Sequence, residues 1–178
     1  MIIGSTYGRE LVPLATKFHE LNKAVTVIGV DLSAKAIEAC KLYPLNNSEF
    51  YVLDIEDEQA VMGYINSALS RFARVGFYMC ETAPYVLPEK LEYFFKIVAG
   101  YENTHAVQIL EPAFIDWGSK YECGMIFSFQ QDFWRHNYIK LISRYFDVQN
   151  NFFVDASIRS DGNRNQPLWL VSGTKKQQ

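Results

Sequence analysis

Short apolar runs at positions 25–30, 49–53, 75–80 and 105–110 are separated by stretches whose apolar residues recur every three or four positions. The runs have the period of buried strands, and the intervening stretches that of amphipathic helices. Strands joined by helix-length crossovers pair in parallel, because the crossover returns the chain to the same end of the sheet. The alternation therefore specifies an α/β fold, a three-layer α-β-α sandwich around a mostly parallel sheet. The run Val75-Gly76-Phe77-Tyr78-Met79-Cys80 shows no alternation, as expected of a central strand covered on both faces.

Boundary signals support this order. Leu11, Leu14, Ala15, Phe18 and Leu21 share one helical face, with Pro13 in the first turn where a missing N–H costs little. Ser33 is placed to cap a helix carrying Ala36, Ile37 and Cys40 inward, and Pro44, Asn46 and Asn47 break it. The acidic group Asp54, Glu56, Asp57 and Glu58 stands at the entrance of a helix with Val61, Ile65, Ala68, Leu69 and Phe72 on one side, where carboxylates complement the helix dipole. Pro88 opens and Gly100 closes a helix with Leu91, Phe94, Phe95 and Val98 aligned. Residues 111–131 lack periodicity, and Trp134, Tyr138, Leu141, Ile142 and Tyr145 predict a last helix over 133–145. Strands are expected at 152–159 and 168–174, and the short polar connection between them permits only antiparallel pairing.

The 178 residues suffice for one well-buried core and are few for two, so a single domain over 1–178 is expected. Its first strand, Ile2-Ile3, is shortened or missing. The apolar runs are far shorter than the roughly 18 residues of a membrane span. The N-terminus has no leader pattern, and three widely separated cysteines suit a reducing, cytoplasmic setting. The net charge of -3 and scattered Lys and Arg argue against a nucleic-acid partner. Three histidines without ligand spacing argue against a metal. Aromatic residues are abundant, and some are expected to line a pocket or an interface.

The motifs in this frame resemble those of class I S-adenosylmethionine (SAM)-dependent methyltransferases. Gly4-Ser5-Thr6-Tyr7-Gly8 matches the family's glycine turn, and Gly29-Val30-Asp31-Leu32-Ser33 its second-strand signature. Leu53-Asp54-Ile55 matches the position whose carboxylate holds the adenine amino group, and residues 77–85 the fourth strand and its loop. The resemblance spans Ile2 to about Lys175 and includes the terminal hairpin, which separates this family from nicotinamide-binding relatives. It implies SAM as cofactor, held by Gly4, Gly8, Asp31, Leu32, Asp54, Ile55 and Glu81. Two departures stand out: Thr6 replaces the middle glycine, and Ile2 replaces an acidic residue. Strands usually run to ~5 residues or more, so the first-strand stub implies either residues missing upstream or a degenerate copy with impaired cofactor affinity.

Most of these residues also have simpler uses. Asp31 can accept both ribose hydroxyls, or serve a turn at the helix entry. Asp54 can accept from an adenine amine, or serve the neighbouring cap. Glu81 either borders the cleft or pairs with a cation, since an unpaired buried carboxylate is costly. Cys80 reads as an apolar filler, with no base near it to make it a nucleophile. Glu111, Asp116, Trp117, Tyr121 and His136 could supply a base and an aromatic wall for a substrate. Asp116 and His136 are the candidate catalytic bases, although His136 also fits a surface or cap position.

The leading expectation is methyl transfer to a small-molecule acceptor, of hydroxyl or sugar-like type, with a homo-oligomer left open. A noncatalytic protein of the same fold, acting through protein contacts, is the alternative. Asp31 alone would also permit a nicotinamide oxidoreductase, against which the glycine spacing and the hairpin argue.

Overall fold

The computed structural model describes residues 1–6, 8, 11–21, 24–43, 45–112, 124–126, 133–154 and 168–176. The elements in chain order are β1 (Ile2–Ile3), α1 (Leu11–Glu20), β2 (Val27–Asp31), α2 (Ala34–Cys40), β3 (Ser48–Val52), α3 (Glu58–Tyr64), β4 (Val75–Cys80), α4 (Pro88–Gly100), β5 (Thr104–Pro112), β6 (Gly124–Ile126), β7 (Phe133–Arg135), α5 (Tyr138–Tyr145), β8 (Phe146–Val154) and β9 (Leu168–Lys175). A π-helical turn, Ile65–Leu69, extends α3, and a single 3-10 turn, Ala83–Tyr85, precedes α4.

Seven strands form one sheet in the order β3-β2-β1-β4-β5-β9-β8, and β6 and β7 form a separate antiparallel pair. The pairs β1–β2, β1–β4, β2–β3 and β4–β5 are parallel, whereas β9 is antiparallel to both β5 and β8. The crossovers β1-α1-β2 and β2-α2-β3 step one way along the sheet, and those through α3 and α4 step back across β1. Since such crossovers are right-handed, α1 and α2 lie on one face and α3 and α4 on the other. The change of direction falls between β1 and β4, where open α/β sheets place ligands, beyond the carboxyl ends of the strands.

The core follows from the strand alternation. Ile3, Ile28, Phe77, Met79, Val107, Ile109 and Val171 meet Val61, Leu69, Leu91, Phe94, Phe95 and Ile142 in the larger cluster. Ile2 and Val27 meet Leu11 and Ala15 in the smaller one. Each residue of the two-residue β1 thus serves a different layer. Helix α1 can approach β2 closely because Gly29 has no side chain: a β-carbon there would lie 2.5 Å from Leu11 Cδ1.

Local signals set most boundaries. Ser33 and Asp57 cap α2 and α3 by accepting from the Ala36 and Ala60 amides. The expected helix over 133–145 is shorter than its spacing implied. Asn137 accepts from Lys140 N at 2.9 Å and starts α5 at Tyr138, while Phe133–Arg135 pairs with Gly124–Ile126 as a strand. The first strand of the terminal hairpin begins at Phe146, directly after α5, rather than near 152. Its polar segment Gln149-Asn150-Asn151 concealed it in the sequence. Residues 155–167, expected to contain the connection, lie outside the described residues. Among the described residues no helix is long and apolar enough to cross a membrane.

Trp169 is 2% exposed, packs between Tyr138 and Phe153 at centroid distances of 5.6 Å, and donates Nε1–H to Asn151 Oδ1 at 2.7 Å. Trp169→Ala should lower the unfolding free energy by about 3–5 kcal/mol in urea titration, the usual cost of emptying so large a site. Phe152→Ala, on the same hairpin but half exposed, should change it by less than about 1 kcal/mol.

Candidate functional site

The ends of β1, β2 and β4 meet at the change of strand direction. Beyond β1 the chain turns sharply, with Gly4 at φ 69°, Thr6 at φ 47° and Gly8 at φ 85°. The amides of Gly4 and Ser5 both donate to Val30 O, at 2.9 and 3.0 Å, which folds the turn back over β2. A β-carbon on Gly4 would fall on the Thr82 hydroxyl, so only glycine lets this turn meet the end of β4.

Asp31 closes β2, and its carboxylate is held by two backbone amides. Oδ2 accepts from Thr6 N and Oδ1 from Ser33 N, each at 2.8 Å. One bond ties it to the glycine turn, the other to the entrance of α2. A carboxylate offers about four acceptor positions, so each oxygen retains one after these bonds. The turn function and a ligand function for Asp31 are therefore compatible. Leu32 beside it is 68% exposed and forms an apolar rim.

Asp54 follows β3 and is half buried, with Oδ1 accepting from Glu56 N at 2.9 Å. Ile55 packs partly against the core. Glu81 follows β4 at φ 52°, its amide donating to Leu110 O and its Oε1 shielded from solvent. Cys40 lies under the turn, 3.1 Å from Thr6 O. Burial pushes its thiol above the usual range, the Ser5 hydroxyl lowers it in part and the Asp31 charge raises it further, which keeps the sulfur unreactive.

Of the remaining expected residues, His136 and Glu111 meet at the turn after β4. Asp116, Trp117 and Tyr121 lie outside the described residues. His136 is 6% exposed, with Nε2 2.9 Å from Ala83 O. Against a carbonyl this nitrogen donates, so the ring braces the turn after β4. Desolvation lowers its pKa from the usual histidine value, and the backbone carbonyls of Ala83 and Val86 oppose that shift. Glu111 is fully buried, and its Oε1 accepts from Thr82 N and Ala83 N at 2.9 and 3.0 Å. Thr82 is the residue that sequence reasoning missed. Its contact with Gly4 joins segments far apart in the chain and leaves no local pattern. The structure thus brings Gly4, Gly8, Asp31 and Glu81 to adjoining strand ends, with Asp54 one strand further out. A groove of about 650 Å³ lies elsewhere, running from α1 across the sheet to β8 and β9, and none of these residues lines it. No group of three or more metal-ligating side chains occurs among the described residues.

Solved structures share this architecture. A SAM-dependent methyltransferase from Anabaena variabilis superposes with a TM-score of 0.64 over 99% of this chain and 76% of its own, at 17% identity. This chain has the class I SAM-dependent methyltransferase fold. The methyltransferase domain of bacterial CtHen1 matches at TM-score 0.61 and 14% identity, over 97% of this chain and 88% of its own. A DhpI complex with SAM and HEP matches at 0.55 and 13%, over 96% and 76%. No protein-family model and no curated protein matches the sequence. Within this methyltransferase-like fold the strand order and the closing antiparallel pair agree with the arrangement that the motifs implied.

Two measurements test the local geometry. Thr6 is β-branched and left-handed, a combination that costs about 1–2 kcal/mol. Thr6→Gly should therefore raise the unfolding free energy by about 1 kcal/mol after the entropy of glycine is subtracted, and Thr6→Val should not. A depressed histidine pKa contributes stability that is present above the unfolded value, ~6.5, and is lost as pH falls through the folded value. The unfolding free energy should decline below about pH 6.5, and His136→Gln should remove that part of the decline.

Proposed function

We propose that this chain, acting as one domain, binds SAM at the ends of β1, β2 and β4 and transfers its methyl group to a small-molecule acceptor. The observation that carries the proposal is the Asp31 carboxylate, fixed by the Thr6 and Ser33 amides and retaining acceptor positions at the strand end. In that role Asp31 accepts the ribose hydroxyls, a charge-assisted pair of bonds. Leu32 and Ile55 supply apolar surface for the adenine, and Asp54 accepts from its amino group. Gly4 and Gly8 supply the left-handed turn that carries the chain past the cofactor.

SAM supplies a methyl group on a sulfonium cation, and the protein's task is mainly to position donor and acceptor. A rim carrying Asp31, Asp54 and Glu81 suits a cationic ligand on charge alone. Asp116 is the proposed base for a hydroxyl acceptor. His136, whose Nε2 faces a carbonyl, contributes by holding the turn beside Glu81. The scattered basic residues favour a small acceptor over nucleic acid, and the cysteine content favours a reducing cytoplasm.

One observation favours the noncatalytic reading: Thr6 puts a side chain where the family has bare backbone, at a φ of 47°. Methyl transfer measured after binding separates the two readings. Calorimetric titration with S-adenosylhomocysteine tests the first step. The wild-type chain should bind, and Asp31→Ala should weaken binding by about 10- to 100-fold, as expected for loss of hydrogen bonds to a charged group. Absence of binding by the wild-type chain would refute the proposal.

A further inference from the structure

The geometry assigns Glu111 a positioning role: it fixes the turn after β4 that receives the sulfonium and amino-acid end of the cofactor. This inference rests on the SAM-binding reading above. Glu111 ends the buried part of β5 with no measurable exposure, a costly location for a carboxylate. Its Oε1 accepts from two successive amides, Thr82 N and Ala83 N. These amides open the single 3-10 turn Ala83–Tyr85, directly after the left-handed Glu81. On its other side the same turn is held by His136, through Ala83 O. A carboxylate and an imidazole from two separate elements therefore grip one three-residue turn.

The grip extends to the glycine turn. Thr82 Oγ1 lies 3.1 Å from Cys80 O and 3.3 Å from Ile3 O, and occupies the space that a Gly4 side chain would need. Thr6 Oγ1 donates to Gly4 O at 3.1 Å, and Thr6 N donates to Asp31. Glu111 thus reaches the glycine turn through Thr82, whereas Asp31 is held by its own two amides, Thr6 N and Ser33 N. In the sheet β1 lies between β2 and β4. A ligand whose ribose sits on Asp31 at β2 reaches the β4 turn only with its other end, after crossing β1. Glu111 accordingly acts on the half of the cofactor that lies beyond the adenosine. Its role is exerted through Thr82 and Ala83, so it is a positioning residue.

The position of the turn predicts a difference between two ligands that a general loss of structure would not produce. Affinities for S-adenosylhomocysteine and for adenosine should be measured by calorimetry on the wild-type chain, Glu111→Ala, Glu111→Gln and Asp31→Ala. Glu111→Ala should lose about tenfold or more in affinity for S-adenosylhomocysteine and less than about twofold for adenosine. Glu111→Gln, whose amide oxygen can accept from the same two amides, should recover most of that loss and covers the case in which the alanine variant fails to fold. Asp31→Ala should weaken both ligands by about 10- to 100-fold. Thr104→Val removes a buried hydrogen bond to Val98 O at the opposite end of β5, and should lower the melting temperature while leaving both affinities unchanged. Unchanged S-adenosylhomocysteine affinity in Glu111→Ala, or a parallel loss of both ligands, would overturn the positioning role and leave the cofactor assignment standing. A wild-type chain that binds neither ligand would overturn both.

Discussion

The pair of bonds from the Thr6 and Ser33 amides to the Asp31 carboxylate joins three pieces that the chain delivers separately: the turn after β1, the end of β2 and the start of α2. Strand β1 has only two residues and cannot organise that turn by pairing alone. The added constraint comes from β2, where Val30 O takes the first two amides of the turn and Asp31 takes a third. Charge-assisted bonds to backbone amides are about twice as strong as neutral ones. One carboxylate can therefore hold a turn containing three left-handed residues. Because each oxygen spends one acceptor position on the protein, the group that shapes the site can also face a ligand.

Legibility in the sequence follows the range of the interaction responsible. The parallel strands, the Ser33 and Asp57 caps and the Pro88 helix start are encoded within a few residues, and the structure contains them at those places. Where a local rule competed with a more distant partner, the pattern misled. Trp134 continues the helical spacing of α5, yet it pairs with Met125 in a strand because Asn137 supplies the cap three residues later. The start of Phe146–Val154 looks loop-like because Asp147, Gln149, Asn150 and Asn151 are polar. It is nevertheless a strand, because β9 offers a full row of backbone partners. At the candidate site, Asp31 was identifiable from its place at the end of an apolar run. The grip of Glu111 on Thr82 and Ala83 spans 28 to 29 residues and has no signature within either segment.

The two bonds also change the meaning of the departure at Thr6. A glycine in a turn supplies conformational freedom and a bare surface, and this position separates the two. Freedom is replaced by restraint: the Thr6 amide is tied to Asp31, its carbonyl accepts from Cys40 Sγ, and its hydroxyl donates to Gly4 O. With both ends of the peptide and the side chain occupied, the left-handed conformation is held at a cost of about 1–2 kcal/mol. The path of the turn is thus kept without the glycine. The bare surface is not kept, because Thr6 is exposed and presents a methyl and a hydroxyl beside the carboxylate. The departure therefore leaves Asp31 in place and acts on the shape of the approach to it. A substitution of this kind alters the surface beside Asp31 more directly than it removes the carboxylate.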